Sequence, residues 1–205
     1  MLFALQIGLA VSAQNLNAGW LPTINYNIGI KKGWKINGKL ESRFNVQAPV
    51  YGLTDFQLGA AVKTRPNQSF SAAYLIRHEA SFFSHRFIQQ YTLVSKIRSL
   101  TFGQRYRADQ TFNKLNATYR LRYRMTFILP FNGESIDPKE FYFKGNNEYF
   151  LSYRNQLTAE FRIAPAVGYQ FEQSEIELGL DYRYSGIGAA TRQQVWLTTA
   201  LYFSI

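Results

Sequence analysis

The segment Leu115–Phe127, LNATYRLRYRMTF, decides how the rest of the chain reads. Every second residue, Leu115, Ala117, Tyr119, Leu121, Tyr123, Met125 and Phe127, is apolar or aromatic. The residues between them, Asn116, Thr118, Arg120, Arg122, Arg124 and Thr126, are polar or cationic. Successive side chains of a strand point to opposite faces, so the spacing predicts a strand with one apolar and one cationic wall. At helical spacing the arginines and aromatics would scatter around the axis.

Working outward, the same split recurs. Toward the N-terminus, Trp34, Ile36, Leu40 and Phe44 oppose Lys35, Asn37, Lys39, Glu41 and Arg43. Phe56, Leu58, Ala60 and Val62 oppose Asp55, Gln57 and Lys63, and Leu100, Phe102 and Tyr106 oppose Arg105, Arg107 and Asp109. Toward the C-terminus, Phe141, Phe143, Tyr149 and Leu151 oppose Lys144, Asn146 and Glu148, while Phe161, Ile163, Val167 and Tyr169 oppose Glu160, Arg162 and Gln170. Ile176, Leu178, Leu180, Tyr182 and Tyr184 then oppose Glu177, Asp181 and Arg183. None of these apolar faces carries a charged residue.

Turn signals such as Arg65-Pro66-Asn67-Gln68, Ile97-Arg98-Ser99 and Glu172-Gln173-Ser174-Glu175 separate the runs. Longer connections are expected over 47–52, 79–85, 109–114, 152–158 and 185–191, alternating with the short turns as in a meander with two different ends. The stretch 131–140 is long where a short turn is expected. About eleven runs result, yet single-chain bacterial barrels have even strand numbers. One run is therefore expected to split, merge or leave the wall; 20–30, with Pro22, and 115–131 are the suspects. The reading is an all-β protein, a single antiparallel up-and-down transmembrane β-barrel of ten to twelve strands, with twelve preferred.

Composition narrows the alternatives. The chain has 205 residues, 46% hydrophobic and 17% aromatic, with a formal charge of +10. Its aromatic content excludes a disordered tail. The absence of Cys excludes a disulfide scaffold, a thiolate metal site and a catalytic thiol. No cofactor or calcium-loop motif is present, so no cofactor and no metal are expected. Residues 1–13, MLFALQIGLAVSA, read as a secretory signal peptide cut after Ala13, although no Lys or Arg precedes its apolar core. Residues 14–205 are then one barrel domain.

Three features place the apolar walls outside, in lipid. A barrel of about eight strands has an interior only just filled by side chains; 14 Tyr and 17 Phe, most of them on these walls, exceed what a soluble interior of this size could pack. Aromatics fall near strand ends (Trp20, Trp34, Phe44, Phe56, Phe70, Tyr184, Phe203), as in the girdles of outer-membrane barrels. A secretion signal followed by alternating strands, without a long apolar helix, fits a protein that spans as a closed barrel. The polar walls then line the lumen. A charge network is expected there from Glu41, Arg43, Arg105, Arg107, Arg120, Arg122, Arg124, Glu148, Glu160, Arg162, Asp181 and Arg183. Arginine forks match carboxylates in bidentate fashion, so the bore should be largely filled by ion pairs, with at most a narrow anion-favouring path.

Several short motifs, in order, carry a resemblance: His85-Arg86-Phe87-Ile88-Gln89-Gln90, Gln104-Arg105-Tyr106-Arg107, Tyr119-Arg120-Leu121-Arg122-Tyr123-Arg124 ending at Leu129-Pro130, Asn147-Glu148, and Arg162 with Gly168-Tyr169. The chain resembles a family of small outer-membrane barrels common in Bacteroidota, domain of unknown function 2490. The resemblance implies an outer-membrane barrel and brings no established activity or catalytic residues. Pro165 stands where a small or apolar residue is expected.

One cluster could carry chemistry. His78, Glu79, Ser81, Ser84 and His85 sit together in sequence, and outer-membrane lipid-modifying hydrolases use a Ser, a His and an orienting acid near the lipid interface. Against this, adjacent His78 and Glu79 point to opposite faces if extended. The leading expectation is a non-enzymatic outer-membrane barrel, structural, partner-binding or a restricted pore. The alternatives are a His/Ser lipid hydrolase, a narrow anion-selective channel and a soluble lipid-binding barrel. Expected partners are outer-membrane lipid or lipopolysaccharide, near residues such as Lys31 and Arg192, and other envelope proteins. Nucleic acid is not expected, because the Arg120–Arg124 alternation makes one wall of a strand rather than a continuous basic surface.

Overall fold

The structure is a computed structural model and describes residues 16–46, 50–79, 82–113, 116–187 and 191–205. The proposed signal peptide, Ser81 and Leu115 lie outside the described residues. Among the described residues eleven strands follow one another: β1 (Leu16–Gly29), β2 (Trp34–Asn45), β3 (Val50–Arg65), β4 (Gln68–Glu79), β5 (Phe82–Ile97), β6 (Leu100–Phe112), β7 (Ala117–Pro130), β8 (Glu140–Tyr153), β9 (Leu157–Gln170), β10 (Ser174–Ile187) and β11 (Arg192–Ser204). A single 3-10 turn, Lys31–Gly33, joins β1 to β2. Each strand pairs with its sequence neighbours, and β1 pairs with β11 to close a barrel.

Eleven strands fall within the expected ten to twelve, although not at the preferred twelve, and the suspected opening segment belongs to the wall as β1. A ring of purely antiparallel neighbours closes only with an even number. With eleven, one junction has to be parallel, and it is β1 against β11, in register from Leu16↔Gln193 to Asn27↔Ser204. The barrel is thus not antiparallel throughout. Two rims follow. Strand β1 begins at one rim, beside the start of β11, and β11 ends at the other, where Ile205 N–H donates to Asn27 O at 2.9 Å.

The expected long connections are also corrected. At the rim where β1 begins, the strands run almost to the hairpin tips: β4 ends at Glu79 and β5 resumes at Phe82, while β6 ends at Phe112 and β7 starts at Ala117. The longest link is 131–139, at the opposite rim. Polar residues such as Ser84, Asp109 and Ser152 looked like loop because they break apolar runs. A polar bore accepts them inside strands, so the chain has no reason to leave the sheet.

Two prolines are accommodated by gaps in the ladder, since proline has no N–H to give. Pro22 pairs with Thr199 on β11, but the β1–β2 register passes from Trp20↔Phe44 to Thr23↔Glu41 without it. Pro165 sits opposite Gly145 on β8, and the β9–β10 register omits it.

Side chains divide between the two faces of the wall. Among the described residues only seven large hydrophobics are buried, whereas Phe56, Leu58, Tyr119, Leu121, Tyr149, Leu178 and many others are exposed; Leu121 is 62% exposed. Buried polar groups include Asp55, Arg86, Asp109, Glu148, Glu177, Asp181 and Arg183. The barrel is therefore inside-out relative to a soluble one, with an apolar exterior and a charged interior. A cross-strand row of aromatics runs obliquely around the exterior, from Phe70 through Tyr91, Tyr106, Tyr123, Tyr149 and Phe161 to Tyr184. Aligned pairs of this kind stabilise neighbouring strands by roughly 0.2–1 kcal/mol each.

Candidate functional site

The bore is built from the same alternation read on its other face. Two residues apart on a strand means the same face, so a charge at i can meet its opposite at i+2. The chain uses this repeatedly. Lys39 and Arg43 flank Glu41 at 2.6 and 3.0 Å, Arg107 meets Asp109 at 2.5 Å, and Arg183 donates Nη2 to Asp181 at 2.6 Å. Arg162 pairs with Glu160 in the same way. Cross-strand register supplies the remainder. Arg77 on β4 lies opposite Asp55 on β3, and its Nε and Nη2 each donate to a different carboxylate oxygen at 2.7 Å.

One interior row runs Arg105, Arg124, Glu148, Arg162 and Arg183 across β6 to β10. Glu148, 4% exposed, sits in the middle of it and accepts from Arg124 Nε. Arg122, in the next row, lies 4.0 Å from both Asp109 and Glu148. Beneath these guanidinium groups is Phe150, with the Arg162 and Arg122 carbons 4.1 and 4.3 Å from its ring centroid. A ring face attracts a cation, more so where water is scarce. Phe150 therefore holds both guanidinium groups against its ring. Eleven residues of the expected network line the central cavity of the bore; Arg105, the twelfth, is not among its lining residues and has no carboxylate within 4.0 Å among the described residues.

Two further clusters were not legible from polarity, because aromatic residues stand on the charged face. The Tyr142 hydroxyl lies 2.9 Å from both Glu175 and Glu177 and shares its one proton between them, Tyr202 donates to Glu177 at 2.9 Å, and Lys144 reaches Glu177 at 2.7 Å. Tyr142 on β8 crosses β9 to reach β10 because Gly168 lies between them in register; a Cβ at Gly168 would overlap the tyrosine ring. The second cluster bridges the parallel junction. Trp196 on β11 packs over Gly19 on β1, where a Cβ would strike the indole. The Arg43 carbon lies 6.0 Å from that ring and the Arg183 carbon 5.5 Å. The signal that could have found both was an aromatic on a charged face with a glycine one strand away.

The His/Ser cluster is divided by the wall. Ser84 is buried in the bore and Glu79 faces it, in reach of Arg77 at 3.5 Å. His78 and His85 are on the exterior, where Tyr51 and Tyr74 hydroxyls meet their Nδ1 atoms at 3.0 and 2.6 Å. Ser84 and the two imidazoles are thus on opposite faces, and the described residues assemble no Ser–His dyad. Arg86, which follows directly on the expected 79–85 connection and enters the sequence reading only in the family motif, is buried beside Ser84 and donates Nε to Thr111 at 2.8 Å. Among the described residues no group of three or more His, Asp or Glu could hold a metal ion.

Fold and interior together define a closed β-barrel with an apolar coat and an ion-paired bore. The chain matches, over residues 18–195, the sequence profile of the family described as "Protein of unknown function (DUF2490)", and it belongs to that family. Comparison with curated proteins and with solved structures finds no match to either.

Proposed function

We propose that this protein is an outer-membrane β-barrel of a Gram-negative envelope whose bore is largely closed by ion pairs, and that it serves as a structural or partner-binding element or as a restricted pore rather than as an enzyme. The observation that carries this is the inside-out distribution of side chains. Soluble monomers rarely expose apolar patches beyond a few hundred Å2, whereas here the apolar coat surrounds the barrel. Strands of 12–16 residues also suffice to cross a bilayer, which takes roughly 9–11 tilted residues. Lipid and other envelope proteins are then its natural neighbours. The division of Ser84 from His78 and His85 supports a non-enzymatic role.

Fractionation tests the location. The protein should sediment with outer-membrane vesicles and leave them only in detergent; a chain that stays in solution without detergent would reverse the reading. A narrow anion-selective channel is the second reading. It is favoured by the central cavity, where ten Lys and Arg side chains face five carboxylates. Planar-bilayer recording at background level excludes it, and a small anion-selective step establishes it.

A further inference from the structure

Two cavities lie along the bore: a central one of about 270 Å3 and one of about 230 Å3 toward the rim where β1 begins. They share Arg77, Arg86 and Arg120, which form the neck between them. Arg77 is satisfied by Asp55. The other two are not: Arg86 donates Nε to Thr111 at 2.8 Å and Arg120 donates Nε to Ser152 at 3.1 Å, both neutral hydroxyls. Neither has a carboxylate within 4.0 Å among the described residues, and Arg86 is only 5% exposed. The hydroxyls fix the inner nitrogen of each guanidinium and leave the terminal forks with no acceptor among the described residues. The outer cavity is lined by four arginines and one carboxylate, Glu79, which Arg77 already reaches.

A buried cation without a partner is costly, and pre-set forks are the usual way proteins hold oxyanions. We infer that this neck is a binding site for a phosphate-class oxyanion, free or as a phosphate monoester, gripped by Arg86 and Arg120. One Asp carboxylate already gives both its oxygens to a single fork at Arg77, and a halide offers one acceptor atom only; a tetrahedral oxyanion can turn separate oxygens to two forks held by different strands. The Ser84, Thr111 and Thr118 hydroxyls line the same cavity and can donate to its remaining oxygens. The site depends on the bore alone and not on where the barrel resides.

Calorimetric titration of the full chain, folded in detergent micelles, tests it, with inorganic phosphate and glucosamine 1-phosphate as separate ligands at constant ionic strength. Saturable one-site binding that chloride does not displace is expected, weakened tenfold or more in Arg86→Gln and in Arg120→Gln. Arg98→Gln, in the β5–β6 turn at the other rim, should bind as the unmodified chain does. Binding of both ligands identifies a site open to monoester headgroups, and binding of phosphate alone identifies a free-anion site. The inference is overturned if neither ligand saturates the folded protein, if chloride competes on equal terms, or if folded Gln variants bind unchanged. Should a Gln variant not fold, the titration of the unmodified chain against chloride decides alone.

Discussion

On β2, β4 and β10, the buried guanidinium groups each have a carboxylate within 3.0 Å: Arg43 with Glu41, Arg77 with Asp55, Arg183 with Asp181. On β5, β6 and β7, Arg86, Arg105 and Arg120 have none within 4.0 Å among the described residues. The same barrel thus holds a neutralised sector and a cationic one. In the first, charge is a cross-link between strands. In the second, Arg107 and Arg124 take Asp109 and Glu148, three further arginines are left over, and two of these, Arg86 and Arg120, border the neck between the two cavities.

Substitutions can break or sharpen this contrast. The largest effect is expected from Asp55→Asn, which leaves Arg77 buried without its bidentate partner. Removing one member of a buried pair costs roughly 3–5 kcal/mol, and Glu79 at 3.5 Å keeps this case near about 3. Urea unfolding of the micelle-bound barrel reads it. Gly168→Val comes next: the added side chain drives Tyr142 off Glu175 and Glu177, with overpacking costing about 1–3 kcal/mol. The same titration, with tyrosine fluorescence, reads both the loss and the displaced ring. The smallest effect is expected from Arg105→Gln, within about 0.5 kcal/mol of the unmodified chain or more stable, because a cation without an anionic partner is removed. If Arg105→Gln proved as damaging as Asp55→Asn, the two sectors would not differ in energy and the contrast would fail.

Alternation made the wall legible, and with it the i, i+2 pairs: Glu41-x-Arg43, Arg107-x-Asp109, Glu160-x-Arg162 and Asp181-x-Arg183 can be read directly as neighbours on one face. Cross-strand partners such as Asp55 and Arg77 could not, because they depend on register, which hairpin tips fix and polarity does not. Arg86 follows directly on residues that read as loop, and only the family motif includes it. Phe150, Trp196, Tyr142 and Tyr202 were hidden by equating aromatic with outward, although a ring can serve a guanidinium better than it serves a void. The parallel junction left no local mark, since a strand's residues do not say which way its neighbour runs.

That junction gives the molecule a direction. Where ordinary barrels bring both ends of the polypeptide to one opening, this one has β1 entering at the rim opposite the one where Ile205 leaves. Epitopes placed before Leu16 and after Ile205 would be cut selectively by a protease confined to one side of a sealed proteoliposome. Which epitope survives would tell which mouth, the arginine-rich one or the tyrosine–glutamate one, looks outward.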